Sequence, residues 1–147
     1  MTLSTREKIL IGALVATIIV AAAVVMVATY TIHNTGRIVT VGLAAFWDPA
    51  GTQLCTSIDW GEIQPGGMKG VTLYLKNTQG LNITLSMNTS SWQPPDVQQY
   101  FTLAWNYSGA LLVPAQMIPV QFTLSLSPLV QNSTNFSFNI NLNATQT

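Results

Sequence analysis

The sequence predicts an all-β fold: an antiparallel sandwich of about seven strands, behind a single N-terminal transmembrane helix. Three observations predict it. An apolar run of 22 residues, Ile9 to Tyr30, carries no charge. After it the hydrophobic period changes to two and stays there to the end of the chain. Turn residues punctuate the alternating runs, and no helical pattern falls between them.

The apolar run comes first. As a helix it would extend about 33 Å at 1.5 Å per residue, enough for a hydrocarbon core of about 30 Å. Only Thr17 and Thr29 interrupt it with hydroxyls, which can bond back to the helix backbone. Arg6 and Lys8 precede it, and the first cation after it is Arg37. That bias favours a cytoplasmic N-terminus and an outer C-terminal domain. Two processing routes fit the run. In one it is an uncleaved signal anchor. In the other, Ala21-Ala22-Ala23 is a signal-peptidase site and Val24 becomes the mature N-terminus. The anchor is preferred, because the apolar run continues to Tyr30, past that site. The expected organisation is a cytoplasmic segment 1–8, an anchor 9–30, a connector 31–36 and an extracellular domain 37–147. The lipid bilayer is then one partner, through Ile9 to Tyr30.

The strands follow in order. Ile38, Val41, Leu43 and Ala45 mark a first strand, and Leu54 to Trp60 a second. Val71, Leu73 and Leu75 alternate with polar neighbours in a third. Leu81, Ile83, Leu85 and Met87 form a fourth, and Phe101, Leu103 and Trp105 a fifth. Ile118, Val120, Phe122, Leu124 and Leu126 form a sixth; Phe136, Phe138, Ile140 and Leu142 form a seventh. Such alternation gives each strand one buried and one wet face, the habit of antiparallel sheets. Pro65-Gly66-Gly67 leads into the third strand, and Asn77-Thr78-Gln79-Gly80 reads as a tight hairpin between the third and fourth. Pro119 belongs at an edge, a strand start or a bulge, because it lacks an N–H. Trp60, Trp92 and Trp105 are core candidates whose indole N–H groups need partners. Seven short strands in this length have the dimensions of an immunoglobulin-like sandwich.

Composition narrows the function. Charged residues make up 7% of the chain, against roughly 25% in an average soluble domain. Net charge is zero, which gives no electrostatic basis for binding nucleic acid. One Cys and one His exclude a disulfide framework and a Cys/His zinc site. From residue 37 onward there are 9 Ser, 12 Thr, 9 Asn and 10 Gln, so uncharged polar groups stand where charge usually does. Six N-x-[ST] sequons begin at Asn82, Asn88, Asn106, Asn132, Asn135 and Asn143. Chance would give roughly two with this composition. They are the candidate sites, for N-glycosylation of a wet sheet face.

Other groups read blandly. Cys55 fits a buried thiol acting as a small hydrophobe, with an intermolecular disulfide as the alternative. His33 lies in the connector. Asp59 and Glu62 flank Trp60-Gly61, but two carboxylates fall short of the six to eight oxygens calcium takes. Asp48, in Asp48-Pro49-Ala50-Gly51, reads as turn chemistry. A Ser-His-Asp triad has no His in the domain body. The expectation is therefore no catalytic residue, no metal site and no cofactor.

The run IDWGEIQPGGMKGVTLYLKNTQGLNITLSM, with Pro65-Gly66 entering a strand and Lys76-Asn77 turning out of it, resembles the accessory immunoglobulin-like domains of archaeal and bacterial surface proteins. It is also similar to small archaeal membrane-anchored proteins that carry one such domain. The resemblance spans Ile38 to Leu142 and implies a fold and a cell-surface location, not a chemistry. The function expected is a non-enzymatic, membrane-anchored, glycosylated structural or interaction protein with an envelope protein as partner. Two alternatives stay open. One is a filament subunit, in which Val24 to Ile32 supplies a strand to a neighbour. The other is a sugar- or peptide-binding module using an exposed Trp47 or Trp92.

Overall fold

A computed structural model describes residues 34–130 and 135–147. The apolar run Ile9 to Tyr30, His33 and the sequon at Asn132 lie outside the described residues. Thr31–Thr147 forms one compact unit. Among the described residues, no helix is long and apolar enough to cross a membrane.

The described residues form eight strands: β1 Asn34–Val41, β2 Leu43–Phe46, β3 Ser57–Asp59, β4 Met68–Asn77, β5 Ile83–Gln93, β6 Phe101–Trp105, β7 Met117–Leu126 and β8 Phe136–Gln146. A short 3₁₀ helix, Pro95–Tyr100, precedes β6. One sheet has the order β3-β1-β8-β5, the other β2-β4-β7-β6. Among the described strands all pairings are antiparallel except β1 with β8, which run parallel in register from Asn34↔Phe136 to Val41↔Asn143.

The core lies between the sheets. From the first sheet come Ile38, Ile58, Ile83, Leu85, Phe136, Phe138, Ile140 and Leu142. From the second come Leu43, Ala45, Leu73, Leu75, Val120, Phe122, Leu124 and Leu126. In β4, β7 and β8 these are the positions the period-two pattern turns inward. An aromatic group closes the end where β1 and β8 begin. The Trp92 indole lies parallel to the Phe138 ring at 4.1 Å, and Phe101 packs on Phe136 at 4.1 Å. Trp60 and Trp92 are buried, while Trp105 is half-buried against Phe122 and Tyr107.

Several expectations are corrected. The first strand is two strands in different sheets, divided at Gly42. Gly42 has φ +77°, a backbone turn that L-residues with side chains rarely adopt. β1 also begins at Asn34, so the last part of the expected connector 31–36 is strand. The second strand shrinks to Ser57–Asp59, and Leu54 makes only an isolated bridge to Phe46. Asn77 to Gly80 is not a hairpin. β4 and β5 lie in different sheets, and the segment is a crossover between them. Leu81 is accordingly exposed, not core. Pro119 sits within β7 where β4 pairs with one side. β6 reaches only Phe122 on the other, so the missing N–H lies at a local edge.

Candidate functional site

Half of the outer face of the first sheet comes from β5 and β8. Alternation turns Thr84, Ser86, Asn88 and Ser90 outward from β5. From β8 it turns Ser137, Asn139, Asn141, Asn143 and Thr145. The register sets Ser86 opposite Asn143, Asn88 opposite Asn141 and Ser90 opposite Asn139. None of these side chains carries charge. Asn141 Nδ2 donates to Asn88 Oδ1 at 2.6 Å and to Ser90 Oγ at 2.9 Å. One amide therefore holds the first and third residues of the 88–90 sequon.

The other sequons occupy varied positions. Asn82 is exposed ahead of β5, and its carbonyl accepts from the Thr147 N–H at 3.2 Å. Asn106 lies just beyond β6; its Oδ1 accepts from the Gln121 N–H at 2.9 Å, and its own N–H donates to the Gln121 carbonyl. Asn135 is exposed just before β8, and Asn143 is half-buried within it. Thus Asn88 and Asn143 share one sheet face, as diagonal neighbours across β5 and β8. Asn106 belongs to the other sheet. Alternation located Asn88 at a strand end, whereas it stands mid-strand in the longer β5.

The carboxylates act on their own loops. Asp48 accepts from the Gln53 N–H at 2.7 Å, from the Thr52 N–H at 3.0 Å and from Thr52 Oγ1 at 2.8 Å. The backbone donation from Gln53, the largest cause, and those from Thr52 hold its carboxyl below the usual range. Asp59 Oδ1 accepts from the Gly61 N–H at 2.9 Å, closing a local turn, and Glu62 is exposed. Among the described residues, no three of His, Cys, Asp and Glu gather closely enough to hold a metal ion.

Cys55 is buried and free, its thiol donating to the Ser57 carbonyl at 3.7 Å. Burial pushes its pKa up to about 11, which keeps it a thiol. Trp92, considered above as an exposed binding residue, is buried, and its Nε1 donates to Thr89 Oγ1 at 3.1 Å. Trp47 is 40% exposed. A shallow depression of about 500 Å³ lies along β1 and β8, with Thr35, Arg37, Ser137 and Asn139 in its lining.

Two buried asparagines were not singled out by sequence. Asn77 Nδ2 donates to the Leu81 and Leu112 carbonyls at 2.9 and 3.0 Å, and its Oδ1 accepts from the Gln79 N–H at 2.7 Å. It pins the crossover to the loop before β7. Its signal was the turn sequence that follows it, where Asn commonly bonds the backbone two residues on. Asn34 Nδ2 donates to the Gly61 carbonyl at 2.7 Å, but its Oδ1 and the nearby Trp60 Nε1 are buried without partners. The Trp60 N–H donates to the Asn34 carbonyl, so both orphans lie where β1 begins.

No family model matches the chain, and no curated protein is significantly similar to it.

Proposed function

We propose that the protein is a non-enzymatic, single-pass, N-glycosylated cell-surface protein, whose immunoglobulin-like sandwich stands outside the membrane as a structural or interaction module. The observation that carries this reading is the uncharged run Ile9 to Tyr30, followed after three residues by the first strand of the domain. The polar faces support the reading. A sheet face of Asn, Ser and Thr with sequons at Asn88 and Asn143 stays hydrated when sugars are attached, without needing charge. The partner is another envelope protein, recognised through uncharged polar surface.

Topology and mass test the proposal together. An N-terminal tag should be protected in intact cells, and a C-terminal tag should be removed by added protease. The reverse pattern overturns the anchor. The intact mass of protein purified from its native source should exceed that of the full chain by whole sugar residues. A mass equal to the bare chain removes the glycosylation; a mass lacking residues 1–23 replaces the anchor by a cleaved signal.

A further inference from the structure

The first strand is an unusual member of its sheet. β1 lies between β3 and β8, so it fills a slot in the sheet interior instead of extending an edge. Its pairing with β8 is the one parallel pairing among the described strands. Within the domain it is joined to the rest at a single end, through Gly42 alone, because β2 starts at Leu43 in the opposite sheet. The chain crosses between layers that lie about 10 Å apart in such a short link.

The inward residues of β1 fill the slot sparsely. They are Asn34, Gly36 and Ile38, of which only Ile38 is a large apolar side chain. The walls of the slot are far more apolar: Ile58 and Trp60 on one side, Phe138 and Ile140 on the other. A Cβ at Gly36 would come 2.8 Å from Trp60 Nε1, so the indole occupies the space a side chain would take. Two buried polar atoms in this slot are unpaired. Backbone pairing to β8 and β3 is therefore the main hold on β1, and backbone pairing does not distinguish one copy of the chain from another.

We propose that β1 is exchanged between copies: the Asn34–Val41 strand of one chain occupies the slot between β3 and β8 of a second copy. Every contact made within one chain is remade between two, and only the hinge changes conformation. Gly42 suits that hinge. In the closed form it takes φ +77°, and a Cβ there would crowd that of Ala144 at 3.0 Å. In the exchanged form the same glycine is free to extend. Short, tight hinge connections favour exchange of this kind. The result is a surface protein that links to its neighbours through its own first strand. Exchange of β1 requires neither the membrane anchor nor glycosylation.

The test uses the full chain in detergent. Arg37 and Asn139 are register partners on the outer face of β1 and β8. Copies carrying Arg37→Cys are coexpressed with copies carrying Asn139→Cys, and the mixture is oxidised. Cys55 is buried and stays out of the reaction. Exchange predicts a mixed disulfide dimer. Its yield should exceed that of Arg37→Cys with Thr123→Cys, on the other sheet, by at least about tenfold, because strand pairing holds the thiols at an effective concentration near millimolar. Equal yields overturn the proposal. So does a double variant that closes only within one chain while the mixed copies give no dimer. Should the cysteine variants misfold, light scattering on the unaltered chain decides. A mass of two or more chains, shifted toward larger species by Gly42→Ala, supports exchange, and a monomer at every concentration overturns it.

Discussion

Asn77 offers the sharpest perturbation of the fold. Its side chain is 1% exposed and makes three hydrogen bonds, two of them as donor to the carbonyls of Leu81 and Leu112. Replacing it by alanine leaves both carbonyls without that partner. An orphaned buried polar group costs about 1–3 kcal/mol. Neither carbonyl is left bare: that of Leu112 keeps the Ile83 N–H at 3.0 Å and that of exposed Leu81 can turn to water, so each loses the net value of one hydrogen bond, as does the Gln79 N–H. At about 0.5–1.5 kcal/mol for each of these three hydrogen bonds, Asn77→Ala should therefore lose about 2–4 kcal/mol, a large part of a typical 5–15 kcal/mol stability. Guanidinium unfolding followed by tryptophan fluorescence measures it, with an unchanged denaturant slope showing that the compact state is otherwise intact.

Asn77→Asp sharpens the test, because it keeps the shape and removes the donors. A carboxylate there would face two carbonyl oxygens, so the folded state favours the protonated acid and its folded pKa rises above the unfolded value of about 3.9. The variant should be closest to the parent below that unfolded value, where one proton is available to donate. It should lose stability as pH rises through the raised folded pKa. If Asn77→Ala stays within about 0.5 kcal/mol of the parent, or Asn77→Asp tracks the parent at every pH, the argument for this pin fails.

Other expected outcomes follow from the same structure. Leu124→Ala in β7 should cost about 2–5 kcal/mol in chemical unfolding, while Thr123→Ala on the outward face should change stability by at most about 0.5 kcal/mol. Removing Asn135–Thr147 takes away β8, which pairs with both β1 and β5, and should abolish the cooperative thermal transition. Asp48 has a depressed folded pKa, so its contribution is present above about pH 4 and is lost as pH falls through the folded value. Melting temperature against pH should show this acid-side loss, and Asp48→Ala should remove it.

Alternation in the sequence identified faces well, and neighbours poorly. In β4, β7 and β8 the residues Leu73, Leu75, Val120, Phe122, Leu124, Phe136, Phe138, Ile140 and Leu142 point inward as the period of two requires. A period says which face a side chain takes, but not which strand lies beside it. Asn77 to Gly80 has the chemistry of a turn, and the same chemistry serves a hairpin or a crossover between layers. The parallel pairing of β1 with β8 joins residues about a hundred positions apart, and no local pattern encodes it. Gly42 left only a weak mark, a lone glycine between Val41 and Leu43. In β5 the phase itself changes. Ile83 and Leu85 are buried at odd positions, and Trp92 at an even one, after a register shift between Ser90 and Gln93. Ser91, at φ +55°, sits in that irregularity. Among the sequons, position along the chain was legible, but the sharing of one face by Asn88 and Asn143 required the register.

The edges of the two sheets connect fold to surface chemistry. Exposed strand edges invite pairing with other chains, and proteins blunt them by shortness, charge or a bulge. Three edges here are short: β3 with three residues, β2 with four and β6 with five. The fourth, β5, has 11 residues and lies within a stretch without charge from Asn77 to Pro95. Its bulge irregularity protects only the last part, near Ser90 to Gln93, while a bridge to Leu112 and the Tyr107 hydroxyl cover only Ile83 and the Leu85 N–H. The middle is the segment with Asn88. A sugar there, as the proposed function has it, would stand where other sheets place a lysine, bulky and hydrated beside an otherwise open edge. Glycosylation and strand exchange then divide the sheet between them: β5 is kept from indiscriminate pairing, while the slot between β3 and β8 accepts the one strand whose register it matches.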